Sequence, residues 1–351
     1  MKWYQVVGQD YARNRYLLLL TEEELARRTE AIVGNMHVID QAGLVSVDSA
    51  DPELYYWASR LAEIQAEMVL RHGPYPAGWH AGMIDFESMP LSLQKAGPTA
   101  AILLRTVRPL PPSYWVKYGA RRYLEEALRT GRLRIAPAST YRDPSLNTAI
   151  HDNELEALIA YDPNVPFNDI PPGTMLLPHG RVPVRQELQS DYYVYCLAGD
   201  LSSRLFLDFE ADACLVVHDP DMFKSRVLSA ARAQLLDWDA LAGPVRYYDP
   251  LLVAPPEIQL PMSKHFRFAY QKEIRLAWLP RTPAADLKPF FVNIGNMTAL
   301  QSSWSHDRLK KPWSSRTPND RTWRPDTLNC SMAFPASLKL NPLPAAWHPE
   351  L

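Results

Sequence analysis

Proline sets the first limit on this chain. It has 32 prolines against 14 glycines, roughly twice the average proline usage. Each proline fixes φ and removes a backbone donor, so long regular elements are interrupted wherever prolines cluster. Pro109, Pro111 and Pro112 form one stiff joint, taken as a domain boundary. Residues 163–183 form a Pro-rich loop. Residues 280–351 carry 10 prolines, so a Pro/Trp-rich surface wrap is expected at 296–351.

Between these joints the texture changes. Residues 1–110 suggest a helical N-terminal domain. Thr21 and Glu24 form a capping box, followed by Leu25, Ile32, Val33 and Met36 at helical spacing. Asp51-Pro52 suits a second helix start, with Leu54, Trp57, Leu61, Ile64 and Met68 on one face. Residues 111–295 read as an α+β domain with a split, mostly antiparallel sheet and flanking helices. Strands are expected at 115–118, 132–135, 192–198, 213–218, 245–248, 268–278 and 290–294, the last beside 268–278. Gly131 is placed to cap a helix over 120–130 in the left-handed region. Asn147 and Asp219-Pro220 suit further helix starts, the first running to about 160.

Charge and cysteine usage exclude several classes. The 37 basic and 39 acidic residues leave a formal charge of −2, which rules out a strongly basic nucleic-acid coat. No run approaches the ~18 apolar residues of a membrane helix, so no membrane partner is expected and the cytoplasm is the expected compartment. Cys196, Cys214 and Cys330 are scattered and form no CxxC, which argues against a disulfide framework or zinc cage. Neither GxGxxG nor GxxxxGK occurs, so Rossmann and P-loop binding have no support.

Two patterns depart from ordinary patterning. On the expected helix after Asn147, Glu154 falls in the apolar stripe of Ile150 and Leu158, where a carboxylate is costly unless paired or wetted. On the expected strand 268–278, Gln271, Glu273 and Arg275 share a face flanked by Ala269 and Ala277. That row suits either a cleft floor or an exposed sheet face. Asp143, Asp152, Glu154 and Glu273 could also gather around Mg²⁺ as a metal-dependent nuclease. A third reading is a non-enzymatic binding module, since Trp304, Trp313 and Trp323 interleave with basic residues over 304–324.

The run Trp115-Val116-Lys117-Tyr118-Gly119, the helix ending at Gly131, Leu133 to Ala138, Tyr141-Arg142-Asp143-Pro144 and the late Glu273-Ile274-Arg275 resemble an uncharacterised family of bacterial proteins. The layout is also similar to the ADP-ribosyltransferase fold, whose members split NAD. Gln271-Lys272-Glu273 matches that fold's late Gln/Glu-x-Glu motif. Lys117-Tyr118 stand where its members carry Arg or His, and Ser139-Thr140-Tyr141 stand where many carry a Ser-Thr-Ser motif.

The resemblance implies Glu273 as the catalytic carboxylate and Gln271 as the residue meeting the acceptor. Lys117 or Tyr118 would take the first-strand position. NAD would be the substrate, with no metal, and the acceptor a protein, a nucleic acid, a small molecule or water. It further implies an aromatic contact to nicotinamide, from Tyr118, Tyr141 or Tyr195. Lys117 or Arg134 would neutralise the pyrophosphate, and Arg275 would balance Glu273. A role in a bacterial toxin or defence effector is implied by resemblance alone.

Overall fold

The computed structural model describes residues 2–40, 43–73, 110, 112–161 and 182–297. The Trp-containing 304–324 segment, Cys330 and most of the Pro-rich loop and joint lie outside the described residues. The described chain is a mixed α+β structure built on antiparallel sheet, with one short parallel pair.

Helices α1 (Trp3–Arg13), α2 (Glu22–Met36) and α3 (Leu54–His72) form the N-terminal layer. The α2 capping box closes as its spacing requires: Thr21 Oγ1 accepts from the Glu24 N–H at 3.2 Å, and Glu24 Oε2 accepts from the Thr21 N–H at 2.7 Å. Leu25, Ile32, Trp57, Leu61, Ile64 and Met68 are buried on the facing stripes. Short strands β1 (His37–Ile39) and β2 (Val45–Val47) pair between α2 and α3. No helix among the described residues is long and apolar enough to cross a membrane.

The main sheet uses β3 (Trp115–Gly119), α4 (Arg121–Thr130), β4 (Arg132–Pro137), β7 (Tyr193–Ala198), α5 (Ser203–Asp208), β8 (Ala213–Val217), α6 (Pro220–Arg232), β9 (Trp238–Pro244), β12 (Glu273–Pro280) and β13 (Phe290–Asn293). Two small pairs lie beside it: β5 (Glu156–Tyr161) with β6 (Val182–Glu187), and β10 (Arg246–Tyr248) with β11 (Ser263–His265). One path runs β13-β4-β7-β12-β9, while β3 joins β7 from the same side as β4 and pairs onward with β8.

The divergence of β3 and β4 positions the site. β4 pairs with the first part of β7, at Val194 and Tyr193. β3 meets β7 only at Ala198. The edge of β7 around Cys196 therefore lies in a notch between two splayed strands. Gly131 ends α4 at φ 73°, its N–H bonded to Ala127 O at 2.8 Å, which turns the chain directly into β4.

Three expectations need correction. The segment after Asn147 is not a helix to 160. The Asn147 side chain accepts from Ala149 and Ile150 N–H at 3.1 Å and closes a single turn. The chain then extends into β5, because β6 supplies a partner edge. Ala157 and Ile159 point inward while Leu158 is exposed, so period two wins over the helical stripe.

The strand expected over 268–278 begins only at Glu273. Residues Phe266–Gln271 form a 3-10 helix, and Lys272 sits at φ 45° as the joint between the two. Lys272 O accepts from Gly199 N–H at 2.7 Å, which fixes that joint.

Lastly, β13 pairs with β4, not beside β12. The place beside β12 belongs to β9, whose sequence, Trp-Asp-Ala-Leu-Ala-Gly-Pro, has little β-propensity and whose residues are mostly exposed.

Candidate functional site

A cavity of about 190 Å³ opens at the notch. Its floor comes from the β12 face that carries Glu273 and Arg275. Register explains the assembly: Val116, Ala198 and Glu273 lie in one row across β3, β7 and β12. Paired residues share a face, so Tyr118, Cys196 and Arg275 stand on that same face. The walls include Tyr118, Tyr141, Ile150, Phe209 and Lys264.

A closed network of charge underlies the floor. Arg275 is 0% exposed. Its Nε donates to Glu273 Oε1 at 2.8 Å, and its Nη2 donates to Glu154 Oε1 at 3.0 Å. Its Nη1 lies 2.8 Å from Glu154 Oε2 but aims its hydrogen bond at Pro261 O, 3.0 Å away. Glu154 Oε2 therefore receives no aligned donor. Lys264, on β11, donates to Glu273 Oε2 at 3.0 Å and Gln271 Oε1 at 3.3 Å, and stands 3.6 Å from Glu154. The Glu273 backbone is pinned too, its N–H donating to the Tyr247 hydroxyl at 2.7 Å.

These contacts set the ionisation of Glu273. Burial alone would raise its pKa. Arg275 and Lys264 outweigh that and hold the carboxyl well below the usual range. Glu273 is a fixed anion at neutral pH, suited to stabilising positive charge rather than to shuttling a proton. Burial would lower the Lys264 pKa, but Glu273, Glu154 and Asp152 raise it. Burial, then Glu273, pushes the Cys196 thiol up to about 12, which leaves it a poor nucleophile.

The remaining expected residues divide. Gln271 faces the cavity and is tied down by its Nε2 bond to Ala149 O at 2.8 Å. Tyr141 and Tyr118 line the wall. The Tyr118 hydroxyl is spent on the Ser202 backbone, accepting from its N–H at 2.8 Å and donating to its carbonyl at 3.2 Å.

Lys117 pairs with Leu215 and so springs from the face opposite Glu273. Its ammonium lies above the Tyr195 ring at 4.8 Å and donates to Cys196 O at 2.7 Å, within the notch. Tyr195 itself is buried on that opposite face against Phe223.

Neither Arg134 nor Asp143 lines the cavity. Arg134 is exposed on β4, because Leu133 and Ile135 take the inward positions. Asp143 is exposed and caps its own turn, accepting from Ser145 N–H at 2.9 Å. Asp152 faces Arg267 at 3.7 Å; burial and then Glu154 push its pKa up to about 6. Among the described residues no group of three His, Cys, Asp or Glu side chains gathers as a metal site would.

Lys264 was not legible in the sequence. A buried Glu154 and Glu273 require a second cation beside Arg275, but nothing in the sequence says which residue supplies it. Compared with known protein families, with curated proteins and with solved structures, the chain matches none.

Proposed function

We propose that the cavity receives the nicotinamide–ribose end of NAD, and that the protein breaks the glycosidic bond and transfers ADP-ribose to an acceptor or to water. The observation that carries this reading is Glu273, gripped by Arg275 and Lys264 at 2.8 and 3.0 Å, in a cavity walled by Tyr118, Tyr141 and Phe209. In this chemistry the bond from ribose C1′ to the nicotinamide nitrogen breaks. Nicotinamide leaves with the electron pair and becomes neutral. Positive charge collects on the sugar until the acceptor bonds to C1′ and releases its proton to solvent.

Glu273 accepts a ribose hydroxyl through an unused lone pair and stabilises that charge. The aromatic walls favour the cationic ring before cleavage. A cavity of this size is smaller than the roughly 300–1,000 Å³ that encloses a whole drug-sized ligand, which suits one end of a dinucleotide. The divergence of β3 and β4 from β7 is consistent with the split sheet that the ADP-ribosyltransferase resemblance implies. The biological setting that goes with this reading is a bacterial toxin or defence effector.

The nuclease alternative has less support. Glu154 and Glu273 already face Arg275 and Lys264, and Asp143 is exposed and does not line the cavity.

The test is purified protein with labelled NAD, with and without cell lysate, beside Glu273→Gln. Nicotinamide release or label transfer should fall at least about 100-fold, as when one stabilising group of a charged transition state is removed. A thermal melt should confirm that the variant is folded. Turnover that is absent in the wild type, or equal in a folded variant, would end the proposal.

A further inference from the structure

Among the described residues, the charges around the cavity do not cancel. Glu154 and Glu273 are matched by Arg275 and Lys264. Asp152 just outside is matched by Arg267. Lys117 is left over. Its ammonium makes one hydrogen bond, to the Cys196 carbonyl, and no carboxylate pairs with it among the described residues. An ammonium has three donors, so two remain unspent. Burial lowers its pKa from the ordinary lysine value, the direction expected for a cation short of a counter-charge.

A second group in the same wall is also unspent. The Tyr141 hydroxyl has no hydrogen-bond partner among the described residues, whereas the neighbouring Tyr118 hydroxyl is fully occupied. Cys196, Glu273 and burial all keep Tyr141 in its neutral form, as a donor. The two groups come from different elements. Lys117 belongs to β3 and Tyr141 to the 3-10 turn Ala138–Arg142 after β4. They therefore stand on the two sides of the notch, with the β7 edge at Cys196 between them.

We propose that Lys117 and Tyr141 form an oxyanion subsite at the mouth of the notch, which takes a phosphate or carboxylate group of a small molecule. An anion there supplies the missing counter-charge and uses donors that no protein group takes among the described residues. Arg134 does not line the cavity, but its charge acts on Lys117 and adds to the positive field there. The inference does not require NAD cleavage, because an oxyanion-bearing ligand of another kind would satisfy the same donors.

The experiment is calorimetric titration of the full chain with inorganic pyrophosphate, ADP-ribose and benzoate. The first two carry phosphate and the third a carboxylate on an aromatic ring. At least one should bind the wild type. Lys117→Met should weaken that binding roughly 10–100-fold, the value of a charge-assisted hydrogen bond, and Tyr141→Phe by several-fold. Arg134→Met, which removes an exposed charge that does not line the cavity, should weaken it less than Lys117→Met does.

Lys117→Arg retains the charge and should retain most of the affinity. It is also the check should Lys117→Met fail to fold. The proposal is overturned if none of the three ligands binds the wild type, or if folded Lys117→Met or Tyr141→Phe binds as tightly as the wild type. It is overturned equally if Lys117→Arg, folded, loses binding as completely as a neutral residue. No arm reads NAD turnover, so this subsite and the proposed reaction fail separately.

Discussion

Arg275 and Glu154 stand 121 positions apart in the sequence and meet at 2.8 and 3.0 Å under the cavity floor. Both are almost wholly buried, so neither charge has water to fall back on. Removing Glu154 leaves Arg275 and Lys264 to share Glu273 alone, so one buried positive charge is in excess. Glu154→Ala should therefore lower unfolding free energy by about 3–5 kcal/mol. Urea denaturation checks this, and a loss under about 1 kcal/mol would mean that solvent reaches the pair.

Lys264→Met addresses the cation that holds Glu273 Oε2. Without it the Glu273 pKa must rise, because burial then opposes Arg275 alone. If Glu273 acts as an anion in turnover, the acid limb of the pH–rate profile should move upward in this variant. A merely structural role would lower the rate at every pH without moving the limb. The profile of nicotinamide release against pH separates the two outcomes.

Two histidines make the fold sensitive to acid. Burial, then Arg267, lowers His265 to about 4, and burial, then Arg204, lowers His37 to about 4. Both lie below the ordinary value of about 6.5, so between pH 4 and 6.5 the unfolded chain binds more protons than the folded one. Stability is then complete above about pH 6.5 and falls as pH drops toward 4. Asp152, raised to about 6, contributes the opposite slope over part of this range. The measurement is therefore a difference: His265→Asn should flatten the loss of stability between pH 6.5 and 4.5 relative to the wild type. An unchanged slope would mean that His265 is already protonated in the fold.

Gly131→Ala tests the turn that launches β4. The residue sits at φ 73°, and an added Cβ would lie 2.0 Å from Gly295 O. Left-handed strain costs on the order of 1–3 kcal/mol, and the chain after β13 must also move. A melting temperature within about 2 °C of the wild type would contradict this packing.

Parts of the chain that carry local signals were readable in the sequence. The Thr21–Glu24 capping box, the Gly131 stop and the Asp219-Pro220 start each satisfy their own backbone, and each element lies where its signal is. The alternation of Glu273, Arg275 and Ala277 against Ile274, Leu276 and Trp278 was readable for the same reason.

What depended on distant partners was not readable. Leu155 to Ile159 satisfies both a helical and a strand period, and only the β6 edge decides between them. β9 is a strand because β12 needs a neighbour, not because its residues favour one. Gln271 and Glu273 were placed together by alternation that does not exist, since Lys272 breaks the strand between them. They still share the cavity because Lys264 holds both.

The N-terminal layer braces the segment that carries the site, and Asn35 does so by hydrogen bonds to its backbone. Asn35 donates from Nδ2 to Phe266 O at 2.9 Å and accepts at Oδ1 from Tyr270 N–H at 3.0 Å. It thus brackets the 3-10 turn that delivers Gln271 and Glu273, while Phe266 and Ala269 complete the apolar core of the three helices. A shortened protein beginning near residue 111 would lose this brace and leave Phe266 bare to water. Silence from such a truncation would report a collapsed support, and any assay meant to judge the chemistry must keep the first three helices attached.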